Sequence, residues 1–449
     1  MVRRSRISRR RFLGSVVPVA GAFAVPMVVP CSVLGAEGSV APSNRITVGM
    51  IGVGRQVLAY NLPYFVSQPD AEVVALCDVD RWRLDVSEER SASFYGEKKS
   101  RSRKIPKCPK YVDFREVLGR KDVDAVMIST PDHWHVPMAA AAVKAGKDVA
   151  CEKPLTRSIA EGRLLSDLVT KHRRVFRTDS EFRSLKNFHR AVELVRNGRI
   201  GQLQTIRTGV PRGPASSPKH VDMPVPEELN YDLWLGPAAV KPYTENRVHQ
   251  RQGYQRPGWM NIRDYCDGTI TNWTTHLNDI AQWGNNTDRT GPIEVEGRGT
   301  YPPAGSLWNV LIEFEFTCRY ANGVRLICKS DGAYTRFEGT EGWIQANFGG
   351  KQPLVAEPKS ILDAKIGPNE IHFPLKPEKR DFLDAVKSRG PTLADAEVGH
   401  RTTSLGHLGQ IAIQLGRRLK WDPDKERFPD DEEANKMLSL PPGRAPWTL

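Results

Sequence analysis

The chain has 449 residues, 39% of them hydrophobic and 26% charged, with a formal net charge of +13. That length suits two or three domains with ample core. The basic excess attracts anionic or phosphate-bearing ligands at long range. No zinc-finger, helix-turn-helix or aromatic RNA-binding pattern accompanies it, so nucleic acid is not an expected partner.

Positions 1–11 hold six arginines and no acid, and 12–29 is mostly apolar, interrupted by Gly14, Pro18, Gly21 and Pro26. A basic segment, an apolar segment and small residues after it form a signal peptide over 1–36. RRRFL at 9–13 has the look of a twin-arginine export signal, which places the mature chain in the periplasm or cell envelope. As a membrane anchor the run is barely long enough, and its glycines and prolines weaken it as a helix. A lipoprotein reading through Cys31 is opposed by Pro30, where such signals carry a small residue. Removing 1–36 lowers the net charge by its six arginines, and no later stretch has the length and apolarity of a membrane span. The other six cysteines form no CxxC pair and no tight framework, so neither a zinc site nor a disulfide scaffold is expected.

Residues 45–56 read RITVGMIGVGRQ: a buried parallel strand that ends in Gly52-Val53-Gly54, then a helical pattern over 56–65. A second apolar run, AEVVALCDVD, ends at Asp78. Strand, glycine turn, helix, strand and acid is the order of a dinucleotide-binding unit. Gly52 allows the tight turn. Gly54 lets the backbone approach a pyrophosphate, which the helix opening at Arg55 and Gln56 attracts. Asp78 would accept hydrogen bonds from the adenosine ribose and repel a 2′-phosphate, so NAD is preferred over NADP. Val57 stands where the third glycine of the fingerprint usually lies.

The segment 97–110 carries seven basic residues and one acid, and is read as a solvated loop in preference to a polyanion patch. Alternation then resumes. A strand over 124–129 ends at Thr130-Pro131. A helix over 135–145 is closed by Gly146. A strand over 148–151 ends at Glu152-Lys153-Pro154, and a helix covers 157–171. This βαβα order implies a doubly wound parallel sheet over 45–175, with ligands beyond the carboxyl ends of its strands. Gly52, Asp78, Thr130 and Glu152-Lys153 all fall there.

GVG after the first strand, TPDHWH at 130–135 and AGKDVACEKPL at 145–155 together resemble the Gfo/Idh/MocA family of oxidoreductases, named for glucose–fructose oxidoreductase and inositol dehydrogenase. The resemblance implies a Rossmann domain followed, over 176–449, by an α/β domain with a large open, mostly antiparallel sheet. That second domain binds substrate and assembles oligomers, and its tail packs back on the first. The patterns agree: a helix over 188–197, strand-like runs at 308–317 and 324–329 around the hairpin signal Ala321-Asn322-Gly323, and helices over 381–387 and 396–419.

By the same resemblance, Glu152 contacts the nicotinamide-side ribose, Lys153 stands beside the reacting carbon, Pro154 fixes the turn and His135 closes the third βα loop around the cofactor. The family's second catalytic segment resembles 272–279 here. His276 matches its histidine and Asp279 its later acid, while Asn272 replaces an aspartate and Thr274 a glycine. Asparagine hydrogen-bonds a sugar hydroxyl but takes no charge.

Oxidising a secondary alcohol requires a hydride acceptor and a base. His276, with an unperturbed pKa near neutrality, and Lys153, if burial lowers its own, are the catalytic pair. Trp134, Arg183, Asn272 and Asp279 are assigned to the substrate. Tyr265 and Trp273 suit a sugar ring or buried packing equally. His133 and His135 have metal-like spacing without an acidic or thiol partner, so no metal is assigned. The expected function is an exported, NAD-dependent oxidoreductase acting on a sugar or polyol, with the cofactor tightly bound. One alternative is a glycosidase that uses bound NAD without net redox change. Another is a non-catalytic binding protein, for which Asn272 is the one supporting residue.

Overall fold

The computed structural model describes residues 40–97 and 108–447. Residues 1–36, where a signal peptide is expected, and most of the basic 97–110 segment lie outside the described residues. From Arg45 onward the chain forms one compact unit.

Its first sheet holds β1 (Ile46–Ile51), β2 (Ala71–Cys77), β3 (Lys110–Tyr111), β4 (Ala125–Ile128), β5 (Asp148–Cys151) and β6 (Phe176–Thr178), all parallel, in the order β3-β2-β1-β4-β5-β6. β4 and β5 are buried along their whole length. Helices cover both faces, which is why these strands read as continuous apolar runs. β6 carries the sheet past residue 175. The order reverses between β1 and β4, and that switch point opens a crevice at the carboxyl ends.

The second sheet has eight strands, β13-β12-β11-β7-β10-β9-β8-β14. They are β7 (Leu203–Gly209), β8 (Glu294–Thr300), β9 (Glu313–Arg319), β10 (Arg325–Lys329), β11 (Tyr334–Gly339), β12 (Trp343–Asn347), β13 (Leu354–Glu357) and β14 (Leu419–Lys420). Only the β7–β10 pairing is parallel. Alternate residues, such as Phe314, Phe316 and Cys318 of β9, enter one core with the helices Lys186–Arg196, Thr274–Gly284 and Ala396–Leu415.

Two boundaries differ from the sequence patterns. Residues 308–312 are irregular, because Trp308 donates its backbone N–H to Ser217 Oγ (2.9 Å) and its indole to the Asn246 carbonyl (3.0 Å). The long helix stops at Leu415, capped by Gly416 at φ +63°.

The two sheets are tied by charge as well as by packing. Asp70 accepts from Arg380 and Lys387 of the Glu378–Ser388 helix. Arg163 bridges Glu397 (2.8 Å) and Glu426 (2.9 Å). Gly162 is required where it sits, since a Cβ there would lie 2.1 Å from His400 Nδ1. Near the chain end, Trp447 packs against Trp134, with ring centroids 5.0 Å apart.

Candidate active site

A cavity of about 290 Å³ lies at the switch point of the first sheet and runs on to the start of the Thr274–Gly284 helix. Its adenosine-side end is built on the glycine turn. Gly52 takes φ +82°, and a Cβ there would stand 2.7 Å from the Ser129 carbonyl oxygen. At Gly54 a Cβ would meet only Arg83, at 3.9 Å, so the backbone is open to a ligand. Arg55, Gln56, Thr130 and Pro131 line the same wall. Thr130 Oγ1 is buried without a hydrogen-bond partner. These features fit a dinucleotide.

The helix expected over 56–65 opens with a π turn, Val57–Asn61. Wide turns of this kind redirect a side chain inward. Here Asn61 Nδ2 reaches Ser129 Oγ (3.0 Å) and Glu152 Oε1 (2.9 Å). Burial raises the Glu152 carboxyl far above its ordinary range, and the neighbouring Asp179 adds to this.

Asp78 lies in the wall, with part of its capacity already in use. Its carboxylate accepts from the Val53 N–H (2.8 Å) and the Asp80 N–H (3.0 Å), tying the acid to the glycine turn. Burial raises its pKa, with Arg83 opposing.

A strap from the second half of the chain, residues 228–260, runs along this end. Arg81 N–H donates to the Glu228 carbonyl (2.9 Å), and Asn230 N–H to that of Val79 (2.8 Å). Arg83 donates to the Gly253 carbonyl (2.9 Å) and lies 4.8 Å over the Tyr254 ring. Trp82 meets the same ring at 5.2 Å. His249, Gln255 and Trp259 then enter the cavity wall.

At the reacting end, the turn after β5 carries Lys153, with a cis bond to Pro154. Lys153 Nζ donates to Asn272 Oδ1 (3.0 Å) and lies 3.3 Å from the Asn272 carbonyl. Asn272 therefore holds the lysine, a different task from the substrate contact expected of it. Burial lowers the Lys153 pKa, while Glu152 and Asp132 oppose this. His276 stacks on Phe182 (centroids 4.4 Å), and its Nδ1 is buried without a partner. Burial, followed by the charge of Lys153, pushes its pKa well below 6.5. The near-neutral base expected at this position is thus a neutral imidazole. Glu181, just beyond β6, also lines the cavity, with Oε1 4.0 Å from His276 Nε2.

Arg183 and Asp279 do not line the cavity. They form a buried two-point ion pair (2.8 and 2.7 Å), with Asp288 also on Arg183 (3.1 Å). Their substrate assignment is replaced by that pairing. His135 faces the carbonyls of Pro154 (2.7 Å) and Thr130 (2.9 Å) from its two ring nitrogens, so it braces the loops around the cofactor crevice. His133 Nε2 meets the Trp234 carbonyl (3.0 Å). Trp134 is buried, its indole N–H shared between the carbonyls of Leu233 and Trp234, so it props the cavity wall. Tyr265 is fully buried against Trp234.

Sequence reasoning missed Asn61, Arg83, Glu181 and the strap. Glu181 had a signal, since it follows the sixth strand at the sheet edge where Thr130 and Lys153 follow theirs. Arg83 lies five positions after Asp78. Asn61 and the strap had no local signal.

A family model described as "Oxidoreductase family, NAD-binding Rossmann fold" matches residues 46–180, and one described as "Oxidoreductase family, C-terminal alpha/beta domain" matches 216–449. Among curated proteins, the "Glycosyl hydrolase family 109 protein" of Shewanella pealeana is 31% identical over 160 residues, 34% of this chain and 33% of that protein. The "Alpha-N-acetylgalactosaminidase" of Shewanella oneidensis is 33% identical over 129 residues, 28% of this chain and 26% of that protein. The matched stretch thus spans about a third or less of these two relatives. In fold, the chain is similar to the aldose-aldose oxidoreductase from Caulobacter crescentus, with TM-score 0.61 and 18% identity over 84% of this chain and 99% of that one. It is likewise similar to a levoglucosan dehydrogenase solved with NADH and levoglucosan, with TM-score 0.56 and 18% identity over 84% and 99%. With a nucleotide crevice, an EKP turn and both domain models in place, the chain belongs to the Gfo/Idh/MocA family of NAD-binding oxidoreductases.

Proposed function

We propose that this chain is an exported, NAD-dependent glycosidase that oxidises and re-reduces its sugar within one catalytic cycle. The observation that carries the reading is the strap over the adenosine end, tied down at Val79, Arg81 and Arg83. A cofactor held under such a cover leaves slowly, so it must be regenerated where it sits. A redox-neutral cycle does that. The glycosyl hydrolase names of the relatives matched over part of the chain point the same way.

Bound NAD would supply a hydride acceptor early in the cycle and the donor at its end. Lys153, its pKa lowered by burial, takes the proton of the sugar hydroxyl and returns it at the close. Asn272 aims that lysine. His276, kept neutral, offers a lone pair to the hydrogen next to the new carbonyl. Glu152, fixed by Asn61, holds the cofactor ribose, and Asp78 favours NAD over NADP.

RRRFL belongs to the same reading. Outside the cytoplasm no NAD pool is maintained, so the enzyme would fold around its cofactor before crossing by a route that accepts folded cargo. The test is mature protein from the exported fraction. It should carry NAD(H) with none added, and release aglycone from glycosides without accumulating NADH. Turnover that builds NADH with added NAD would instead establish a net dehydrogenase. That second reading is favoured by the levoglucosan dehydrogenase likeness.

A further inference from the structure

Glu181 has no part in the family motifs described above, yet it occupies the reacting end of the cavity. It begins the turn Phe182–Ser184 without capping it, and its carboxylate makes no hydrogen bond among the described residues. The side chain is 40% exposed and lines the cavity. Two other carboxylates of this region are tied down, Asp279 by Arg183 and Asp179 by Lys379. Glu181 is held by neither. His276 faces it, with Nε2 4.0 Å from Oε1. That gap is too long for a hydrogen bond. It leaves each group free to address an atom of a ligand between them. Phe182 stacks on one face of the His276 ring and backs it toward the cavity.

We infer that Glu181 is the acid that protonates the departing glycosidic oxygen, working as a pair with His276. The inference rests on the glycosidase reading above. Once the sugar carries a carbonyl beside C2, the C2–H bond breaks and its proton passes to His276. The C1–O bond breaks and the proton of Glu181 goes to the aglycone oxygen, leaving a C1=C2 double bond. Water then adds at C1 and gives its second proton to the Glu181 carboxylate, while His276 returns its proton to C2. Each residue ends as it began, and no outside oxidant or acid is consumed. The charged groups that act on Glu181 are Lys153, Asp179, Glu378 and Lys379. Burial raises its carboxyl pKa, with Lys153 opposing, which keeps the acid form within reach.

A simple dehydrogenase needs one proton acceptor at this end, and Lys153 fills that role. Glu181 is the additional group that bond cleavage needs.

The experiment compares Glu181→Gln with the wild type, both carrying their bound cofactor, on paired methyl and 4-nitrophenyl hexosides. Nitrophenolate leaves without a proton, while methoxide does not. The variant should lose methyl glycoside cleavage by about 100-fold or more and nitrophenyl cleavage by less than about tenfold. In D2O it should still exchange the C2 hydrogen of recovered substrate, seen by NMR, because oxidation and proton removal precede its step. Methyl glycoside cleavage within threefold of wild type would overturn the role. Loss of C2 exchange together with both cleavages would also overturn it, because the residue would then be structural. A wild type that cleaves neither glycoside of any pair overturns the glycosidase reading itself.

Discussion

The two ends of the cavity are made differently. The adenosine end is backbone: a glycine turn at positive φ, an acid anchored to that turn by the Val53 N–H, and a strap laid across the opening. The reacting end is side chain: Lys153, Asn272, His276 and Glu181, brought together from three separate stretches of sequence. The first end is suited to holding and the second to moving protons. Substitutions at the two ends should therefore fail in different currencies, one in retention and the other in turnover.

The sharpest separation comes from Lys153→Ala. Turnover should fall by a factor on the order of 100 or more, the usual contribution of a general base. Cofactor occupancy, measured by absorbance of the denatured extract, should not change. Loss of occupancy along with turnover would merge the two ends and remove the lysine from chemistry.

Tyr254→Ala attacks the other end. It removes the ring beneath Arg83 and beside Trp82 while leaving the glycine turn intact. Exchange of bound NAD with labelled NAD should become about tenfold faster, equivalent to about 1.4 kcal/mol. The rate of a single turnover should be unaltered. An unchanged exchange rate would show that the strap covers the cofactor crevice without retaining anything.

The adenosine end was legible in sequence down to Gly52, Gly54 and Asp78, because a buried strand, a turn and a second strand are local signals. The reacting end was legible only by resemblance to a family motif. Residues 272–279 were placed by that motif, and nothing in their own pattern tells that Lys153 reaches Asn272. The same contrast runs through the fold. The parallel strands β1, β2, β4 and β5 announced themselves as apolar runs, while the short edge strands β3 and β6 did not. β8 and β11–β13 did not, since a half-exposed strand alternates and dilutes its own signal. Asn61 was invisible because a π turn has no sequence signature, and Arg183 misled because a buried ion pair and a substrate contact use the same residue types.

Asn272→Asp refines the reacting end. It restores a charge where the resemblance leads one to expect an aspartate, directly against Lys153 Nζ. A nearby negative charge favours the protonated lysine, so its pKa should rise by about one unit. Because the neutral lysine is the base, activity grows as pH rises through that pKa. The rising limb of the pH–rate profile should move to higher pH by the same amount, with plateau turnover reduced only a few-fold. A limb that stays in place would mean another group sets it.

The smallest effect concerns stability, and it reverses sign between the site and the seam that joins the two sheets. Beside the site, burial and then the charge of Asp78 raise Asp80 to about 6, and in its wall burial raises Asp132 to about 7, both from 3.8. Acids raised on folding bind protons more tightly in the native state, so the contribution of these two to stability grows as pH falls from about 7 toward 4. At the seam the direction is opposite. Against the upward push of burial, hydrogen bonds from Arg380 and Lys387 hold Asp70 at about 2. Arg163 with Arg401 does the same for Glu397, and His400 with Arg163 for Glu426, again at about 2. These depressed acids stabilise fully above their unfolded values of 3.8 and 4.5, and that contribution is lost as pH falls from there through about 2. Solvent screening keeps each share on the order of 1 kcal/mol. Buried imidazoles oppose the site acids, since burial lowers His133 and His249 to about 3 and His135 and His407 to about 4, so their contribution is lost as pH falls below 6.5. The steep loss of melting temperature below pH 4 should therefore carry the share of the seam. Asp70→Asn should flatten the acid limb alone, because the site acids are untouched. Melting curves of wild type and Asp70→Asn that stay parallel below pH 4 would mean that Asp70 is not held by Arg380 and Lys387 as the structure holds it.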